Sequence, residues 1–391
     1  VIVPWRRGTA AHQLDDALSA VTAADWSADV PPVAWIHWPV DQSNPYQRLL
    51  YSRFAAHNLV PLRLFDLDAL DGMLAALPGD MPRVLHVHWL YEVTADSGSE
   101  AQATGRVERF EERVRQLRGR GVRVVWTVHN VLPHETVYPD VEARLRRFML
   151  ATADLVHVMH DSHLELLAST FDTKPAASVV APHPTFAGAY PDWADRAAAR
   201  SQLGIPRGAR VLVTFGQIRP YKGHAAFLEA FVRATELDPR LRWLVAGKIR
   251  EERGAAEFAG RAADHPAVLL HPGFVPEADV QFYLRAADAA VYPYVNSLNS
   301  GALALTAGFD LPVYASTSTN VGDLMPASAT VRFDLADPEG TARLLAEPGP
   351  ELSAQARAAV RAHARGLAPA TVSDAFAVAV RDHLFRAASA A

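Results

Sequence analysis

Short apolar runs alternate with longer segments of helical period along most of the chain. Val33–Trp38, Val84–Trp89, Val122–Val128 and Asp154–Met159 read as buried strands, with helices expected over 46–57, 105–117 and 140–150. Parallel strands need a crossover, and a helix is its usual form, so this rhythm predicts a doubly wound parallel sheet. The segment 181–210 breaks the pattern with Pro182, Pro184, Pro191 and Pro206, as a connection between domains does. The rhythm then restarts at Arg210–Phe215. It continues through Leu241–Ala246, Val268–Leu270, Ala289–Tyr292 and Val313–Ala315.

The expected organisation is therefore an N-terminal segment (1–30), a first α/β domain (31–190), a linker (191–208) and a second α/β domain (209–368). A C-terminal helix within 369–391 is expected to pack back on the first domain. Two Rossmann-like, doubly wound domains of this kind would face a central cleft, where a ligand sits.

Composition narrows the function. Half of the 391 residues are apolar, enough for two cores. Charged residues make up 21% and the net charge is −5, so nothing global points to nucleic acid. Cysteine is absent, which excludes a disulfide framework and a thiolate zinc site and fits a reducing compartment. No run approaches the roughly 18 apolar residues of a membrane span, and residues 1–30 lack the apolar core of a secretory signal. A cytoplasmic location is expected.

The second domain opens with a strand, a glycine turn at Gly216, then Arg219, Lys222 and a helix. Two cations stand on a tight loop at the carboxyl end of a strand, where charge developing on a departing diphosphate can be stabilised. Two solvated cations beside a turn is the plainer account. Further on, a strand ending at Tyr292 leads through a polar loop with Ser297 and Asn299 to a helix starting near Ser300-Gly301-Ala302. Unpaired N–H groups at a helix start bind phosphate without a basic side chain. Asn299 or Ser300 as an N-cap explains the polar residues alone, but a cap does not require Gly301.

The order Gly216…Arg219…Lys222-Gly223, then Pro272-Gly-Phe-Val-Pro276, then Ser300-Gly301 with Leu311-Pro-Val313, resembles the C-terminal domain of group 1 glycosyltransferases. The resemblance implies a GT-B fold and a sugar-transfer activity. It implies that Arg219 and Lys222 clamp a diphosphate, that Phe274 and Val275 receive the base, and that Ser300–Ala302 present amides to the distal phosphate. Many members carry a pair of glutamates where this chain has Ser297 and Leu305. The chain is closer to a subset with an Asn-Ser-Gly helix start, of the exopolysaccharide-building type.

In the first domain a strand delivers His129-Asn130, followed by His134 and Glu135. His129 resembles the family histidine that lies against the donor sugar. An imidazole there can hydrogen-bond a hydroxyl or share charge with the departing diphosphate, or simply pack at a strand end. Asn44 and Tyr46 open the first helix. Trp38, Tyr46 and Trp89 are candidate stacking surfaces for an acceptor sugar and equally candidate core residues, with Asn44 and His134 completing the acceptor set. His86 with His88, and His157 with His160 and His163, have spacings a metal could use, but no metal site is expected. An arginine-rich stretch (Arg106 to Arg123, then Arg144 to Arg147) interleaved with glutamates reads as a salt-bridged helix face. A contact with anionic lipid at the inner face of the plasma membrane is its functional alternative.

The expected function is metal-independent transfer of a hexose from a GDP- or UDP-linked donor, by analogy mannose, to a saccharide or lipid-linked saccharide, with no cofactor beyond the co-substrate. If configuration is inverted, Asp41, Glu135 and Asp161 are the candidate bases. A catalytically inactive nucleotide-sugar-binding subunit and a nucleotide-sugar epimerase are the alternatives.

Overall fold

The computed structural model describes residues 31–133, 136–250 and 253–385. The expected N-terminal segment 1–30, together with His134 and Glu135, lies outside them. The chain divides into two compact units, Val1–Pro184 with Pro369–Ala391, and Thr185–Ala368.

The first unit is a parallel sheet of strands β1 (Val33–Trp38), β2 (Leu59–Arg63), β3 (Arg83–Val87), β4 (Arg123–Thr127), β5 (Leu155–Val158) and β6 (Ser178–Val180), in the order β2-β1-β3-β4-β5-β6. Its crossovers include helices α1 (Tyr46–Leu50), α2 (Leu70–Ala76), α3 (Tyr91–Thr94), α4 (Glu100–Gly119), α5 (Pro139–Thr152) and α6 (Ser162–Phe171). Every residue of β1 is buried, which is why it reads as an apolar run broken only by His37 rather than as an alternation.

The first helix is shorter than its apolar pattern predicts. It ends at Leu50, and a 3-10 turn covers Phe54–His57. The Arg53 N–H, which a continuing helix would use, donates instead to the Ser373 hydroxyl at 2.9 Å. A partner from the far end of the chain thus replaces one rung of the local ladder.

The second unit has strands β7 (Arg210–Phe215), β8 (Leu241–Gly247), β9 (Val268–Pro272), β10 (Ala289–Tyr292), β11 (Val313–Ser316) and β12 (Thr330–Phe333), ordered β12-β11-β10-β7-β8-β9 and all parallel. With them run α7 (Arg196–Gln202), α8 (His224–Leu237), α9 (Arg253–Ala263), α10 (Val280–Ala286), α11 (Gly301–Ala307), α12 (Pro338–Ala346) and α13 (Ala354–Gly366). Strands β6 and β12 carry no apolar run of their own, because they are short edges with half-exposed side chains.

The segment 191–208, expected as a linker, is part of this unit. Asp195 caps α7 by accepting from the Ala198 N–H at 2.7 Å, and Arg200 joins the helix to Asp288 at 2.8 Å. The Gln281 side chain accepts from the Trp193 and Ala194 amides at 2.8 and 2.9 Å. These partners lie some ninety residues away, so local composition does not reveal them.

After α13 the chain returns to the first unit as α14 (Pro369–Phe385). Its apolar residues Val372, Phe376, Val380 and Leu384 recur every fourth position, and that stripe is buried among Trp35, Leu50 and Phe54 of the first core. Among the described residues, no helix is long and apolar enough to cross a membrane.

Candidate active site

In the second unit β7 is followed by β8 on one side of the sheet, while β10 flanks it on the other. The strand order reverses between β7 and β10, so the loops leaving their carboxyl ends part around a crevice, the usual ligand position of an open parallel sheet. Both phosphate motifs read from the sequence sit on these two loops.

The loops are tied together. The Val295 N–H donates to the Tyr221 carbonyl at 3.1 Å. Gly223 has φ of +67°, and a Cβ there would stand 1.9 Å from the Pro293 carbonyl oxygen, so any side chain would push the loops apart. Gly216, at φ of +111°, ends β7 with its carbonyl 2.0 Å from where a Cβ on Gly247 would lie. That contact, and the Gly273 N–H donating to Gly247 at 3.1 Å, bring the β9 loop with Phe274 and Val275 to the same sheet edge. Phe274 is 79% exposed.

Lys222 is buried, and its ammonium lies 5.6 Å from the centroid of the Tyr294 ring. Burial, reinforced by the nearby Arg219 guanidinium, lowers its pKa to about 8. Among the described residues no carboxylate pairs with it. Arg219 is partly exposed and donates to the Gln217 side chain at 3.0 Å. The Tyr294 hydroxyl is 3.5 Å from the Ser300 hydroxyl, so one ring links the cationic loop to the start of α11. Ser300 itself is the N-cap, accepting from the Leu303 N–H at 3.1 Å. Gly301 and Ala302 are the first helical residues, and the Ala302 carbonyl accepts from the Tyr292 hydroxyl at 2.9 Å. Ser297 donates to the Asn299 carbonyl at 2.7 Å, shaping the loop just before the helix.

The first unit has its own reversal, between β1 and β3. His88-Trp89 follows β3 and His129 follows β4. Trp89 stacks on the His129 ring at 4.5 Å and 21°, and His88 Nδ1 is 3.1 Å from His129 Nε2. Tyr46 is buried, edge-on to His88 and His129 and tilted against His183. Behind these residues the hydrogen bonds continue into the sheet. Tyr51 Oη lies 2.5 Å from His88 Nε2 and 2.8 Å from His86 Nδ1, which is also 3.2 Å from the Trp35 indole N–H. His86 Nε2 meets the Thr127 hydroxyl at 2.6 Å, Thr127 meets His157 Nδ1 at 2.9 Å, and His157 Nε2 donates to the Ala181 carbonyl at 2.9 Å. Burial holds His86, His88 and His129 well below the usual imidazole range, and lowers His157 and His183 to about 4. Sequence reasoning missed Trp35, Tyr51, Thr127 and His183. The available signal was polar residues inside otherwise apolar buried strands, since such groups need partners.

Other candidates stand elsewhere. Trp38 is buried and packs on Phe110 at 6.0 Å, as a core residue does. Asn44 accepts from the Tyr46 N–H at 3.0 Å and opens α1. Asp41 accepts from the Ser43 amide and hydroxyl at 2.9 and 2.6 Å. Asp161 is exposed at the start of α6. His157 turns inward to its ladder while His160 bonds Ser162 at 2.8 Å, so the 157/160/163 spacing does not converge. Among the described residues, no group of three or more His, Cys, Asp or Glu is placed to hold a metal ion. Much of the arginine stretch is ion-paired: Arg144 with Glu108 and Glu111, Arg118 and Arg123 with Asp154, Arg113 and Arg120 with Asp71.

Residues 195–306 match the family model of group 1 glycosyl transferases. Two D-inositol 3-phosphate glycosyltransferases are each 30% identical to the chain. That of Corynebacterium efficiens aligns over 192 residues, 45% of this chain and 45% of its own length. That of Streptomyces griseus aligns over 215 residues, 49% of this chain and 44% of its own. The chain thus spans less than half the length of these curated relatives. In fold, it is similar to a sucrose-phosphate synthase from Thermosynechococcus elongatus, with TM-score 0.66, 16% identity, and coverage of 92% of this chain and 100% of the other. An Anabaena protein solved in complex with UDP gives TM-score 0.64 and 11% identity, over 90% of this chain and 100% of that one. The chain has the two-sheet GT-B architecture, and residues 195–306, which carry the Arg219–Lys222 loop and the start of α11, are similar to the group 1 glycosyl transferases.

Proposed function

We propose that this protein moves a hexose from a nucleoside diphosphate sugar to a hydroxyl of a saccharide or lipid-linked saccharide, with no metal in the reaction. The observation that carries the reading is Lys222, a buried ammonium held over Tyr294 beside Arg219 at the switch point of the sheet. A buried cation without a carboxylate is costly, and an incoming diphosphate offsets that cost. Arg219 grips phosphate oxygens as a fork while Lys222 acts as a point charge, both strengthening as negative charge grows on the leaving group. The start of α11 adds amides beside Ser300. Phe274, exposed on the neighbouring loop, offers the base an apolar face.

The acceptor hydroxyl attacks the anomeric carbon, the bond from that carbon to the diphosphate oxygen breaks, and the hydroxyl proton leaves. With configuration retained, a diphosphate oxygen takes that proton on the same face. With inversion a carboxylate base is needed, and Asp41, Glu135 and Asp161 remain the candidates. Trp89 and His129 handle a saccharide hydroxyl at the edge of the first unit. The similarity to a protein solved with UDP favours a uridine donor over the GDP-mannose suggested by family analogy.

Thermal shift against UDP, GDP, ADP and TDP tests the reading. One of them should stabilise the protein, by about 2.7 kcal/mol at a hundredfold excess over its Kd, and K222A should abolish the shift. No stabilisation by any of them sinks the assignment. Binding without release of nucleoside diphosphate from the sugar nucleotide points to an inactive subunit, and recovery of an altered sugar nucleotide points to an epimerase. Proton NMR of the first-formed product separates retention from inversion.

A further inference from the structure

We propose that a one-directional chain of hydrogen bonds holds His129 as its neutral Nε2–H tautomer, which makes Tyr51 and His88 positioning residues for it. The inference rests on the sugar-transfer reading only for the role of His129. The proton placement itself follows from donor and acceptor accounting.

Two ends of the network have no choice. The Trp35 indole nitrogen can only donate, and the Ala181 carbonyl can only accept. His157 therefore donates from Nε2 to Ala181 and, as a neutral ring, keeps a lone pair on Nδ1. The Thr127 hydroxyl must donate to that lone pair, which leaves its oxygen to accept from His86 Nε2–H at 2.6 Å. His86 Nδ1 then carries a lone pair, as the Trp35 N–H pointing at it requires independently. The assignment from one end agrees with the assignment from the other.

The branch toward the site follows. Tyr51 Oη lies 2.8 Å from the bare His86 Nδ1, so the hydrogen between them is the tyrosine's own, and Tyr51 and Trp35 share one lone pair. The Tyr51 oxygen is then an acceptor for His88 Nε2–H at 2.5 Å. His88 keeps its lone pair on Nδ1, and the hydrogen in the 3.1 Å contact with His129 belongs to His129 Nε2. Nδ1 is left as the only acceptor nitrogen of the His129 ring. Reversing any link would set two N–H groups, or two lone pairs, face to face in a network that is buried as far as His88 and half-buried at His129, where an unmade hydrogen bond is expensive.

The functional consequence is a choice between the two roles open to His129. A saccharide hydroxyl engaging this ring donates to Nδ1. The ring does not act as a cation sharing charge with the departing diphosphate. His88 and Tyr51 act through His129, and Trp89, stacked on the ring, fixes its plane.

The test is a two-bond proton–nitrogen correlation spectrum of the full chain with histidine ring nitrogens labelled, assigned by single His→Gln variants. His86, His88, His129 and His157 should each show a protonated Nε2 and a bare Nδ1, unchanged between pH 6 and 8. An Nδ1–H pattern or a doubly protonated ring at His129 overturns the proposal. Tyr51→Phe removes one hydroxyl. It should leave His157 as it was, which certifies the fold, and turn the His88 and His129 signals into tautomer mixtures. A His129 pattern untouched by Y51F removes the coupling. In a nucleoside diphosphate release assay Y51F should lower kcat on the order of tenfold, the worth of one neutral hydrogen bond, with the donor KM unchanged. A loss appearing in KM alone contradicts positioning. Wild-type protein inert toward every sugar nucleotide would sink the function reading alone, because the spectra still decide the tautomer.

Discussion

At the ligand edge of the second unit a buried ammonium, Lys222, lies over the Tyr294 ring with Arg219 beside it. At the corresponding edge of the first unit, His88 is buried and His129 half-buried, and each hydrogen bond is answered by the next. Both edges stand at a reversal in strand order of a six-stranded parallel sheet. One keeps a buried ammonium that pairs with no carboxylate among the described residues. The other spends its polar groups on one another. The sheet thus supplies only the position, and the side chains after β3, β4, β7 and β10 decide the chemistry.

The contrast breaks most visibly under acid. Imidazoles held neutral in the folded first unit protonate freely once unfolded, so stability is full above pH 6.5 and is lost as pH falls toward their lowered values. Each contributes about 1.4 kcal/mol per pH unit across that window. His37, lowered to about 3, and His157, lowered to about 4, are enough to remove roughly 4 kcal/mol by pH 5. Urea unfolding from pH 8 to 5, followed by exchange of amides in β1 and β4, should show the first unit weakening more than the second, where His224 is the chief fully buried counterpart. Equal loss in both units would end the comparison.

Next in size is the clamp itself. R219A and K222A should each lower kcat/KM for sugar release by on the order of 10²–10³, the cost of removing one preorganised charge from a transition state, without moving the unfolding midpoint of the first unit. A tenfold smaller loss would mean these cations are solvated bystanders. The pH dependence of diphosphate affinity follows. Lys222 is charged below about pH 8 and binds anions in that form, so Kd for the preferred nucleoside diphosphate should rise about tenfold from pH 7 to pH 9. Calorimetry at those two values checks it, and K222A should flatten the profile. The smallest expected effect is at the cap of α11. Ser300→Ala should cost about 1 kcal/mol of second-unit stability, read by urea unfolding, with a modest rise in Kd if the helix start touches phosphate and none if it only caps.

Legibility from sequence differed between the edges for a physical reason. The second-unit site is built from residues close together along two loops, Gly216 to Gly223 and Tyr292 to Ala302, and each loop announces itself by glycine, cation and helix-start chemistry in a short window. His129 and Trp89 were readable as strand-end residues. Tyr51, Thr127 and His157 were not readable as a site, because their meaning lies in partners tens of residues away. Trp38 was equally ambiguous until Phe110 was seen packed against it.

The amino-acid sequence by itself determined the two alternating α/β halves, the largely apolar buried strands, and the cations of the Gly216–Gly223 loop, because periodicity and turn chemistry act between near neighbours. Tertiary structure alone decided that the Arg53 amide goes to Ser373 rather than to a longer first helix, that residues 191–208 belong to the second unit, and which partners meet the ring nitrogens of His86, His88 and His157. Those outcomes depend on hydrogen-bond partners that only folding brings within reach, and in a buried site a donor's partner decides its state.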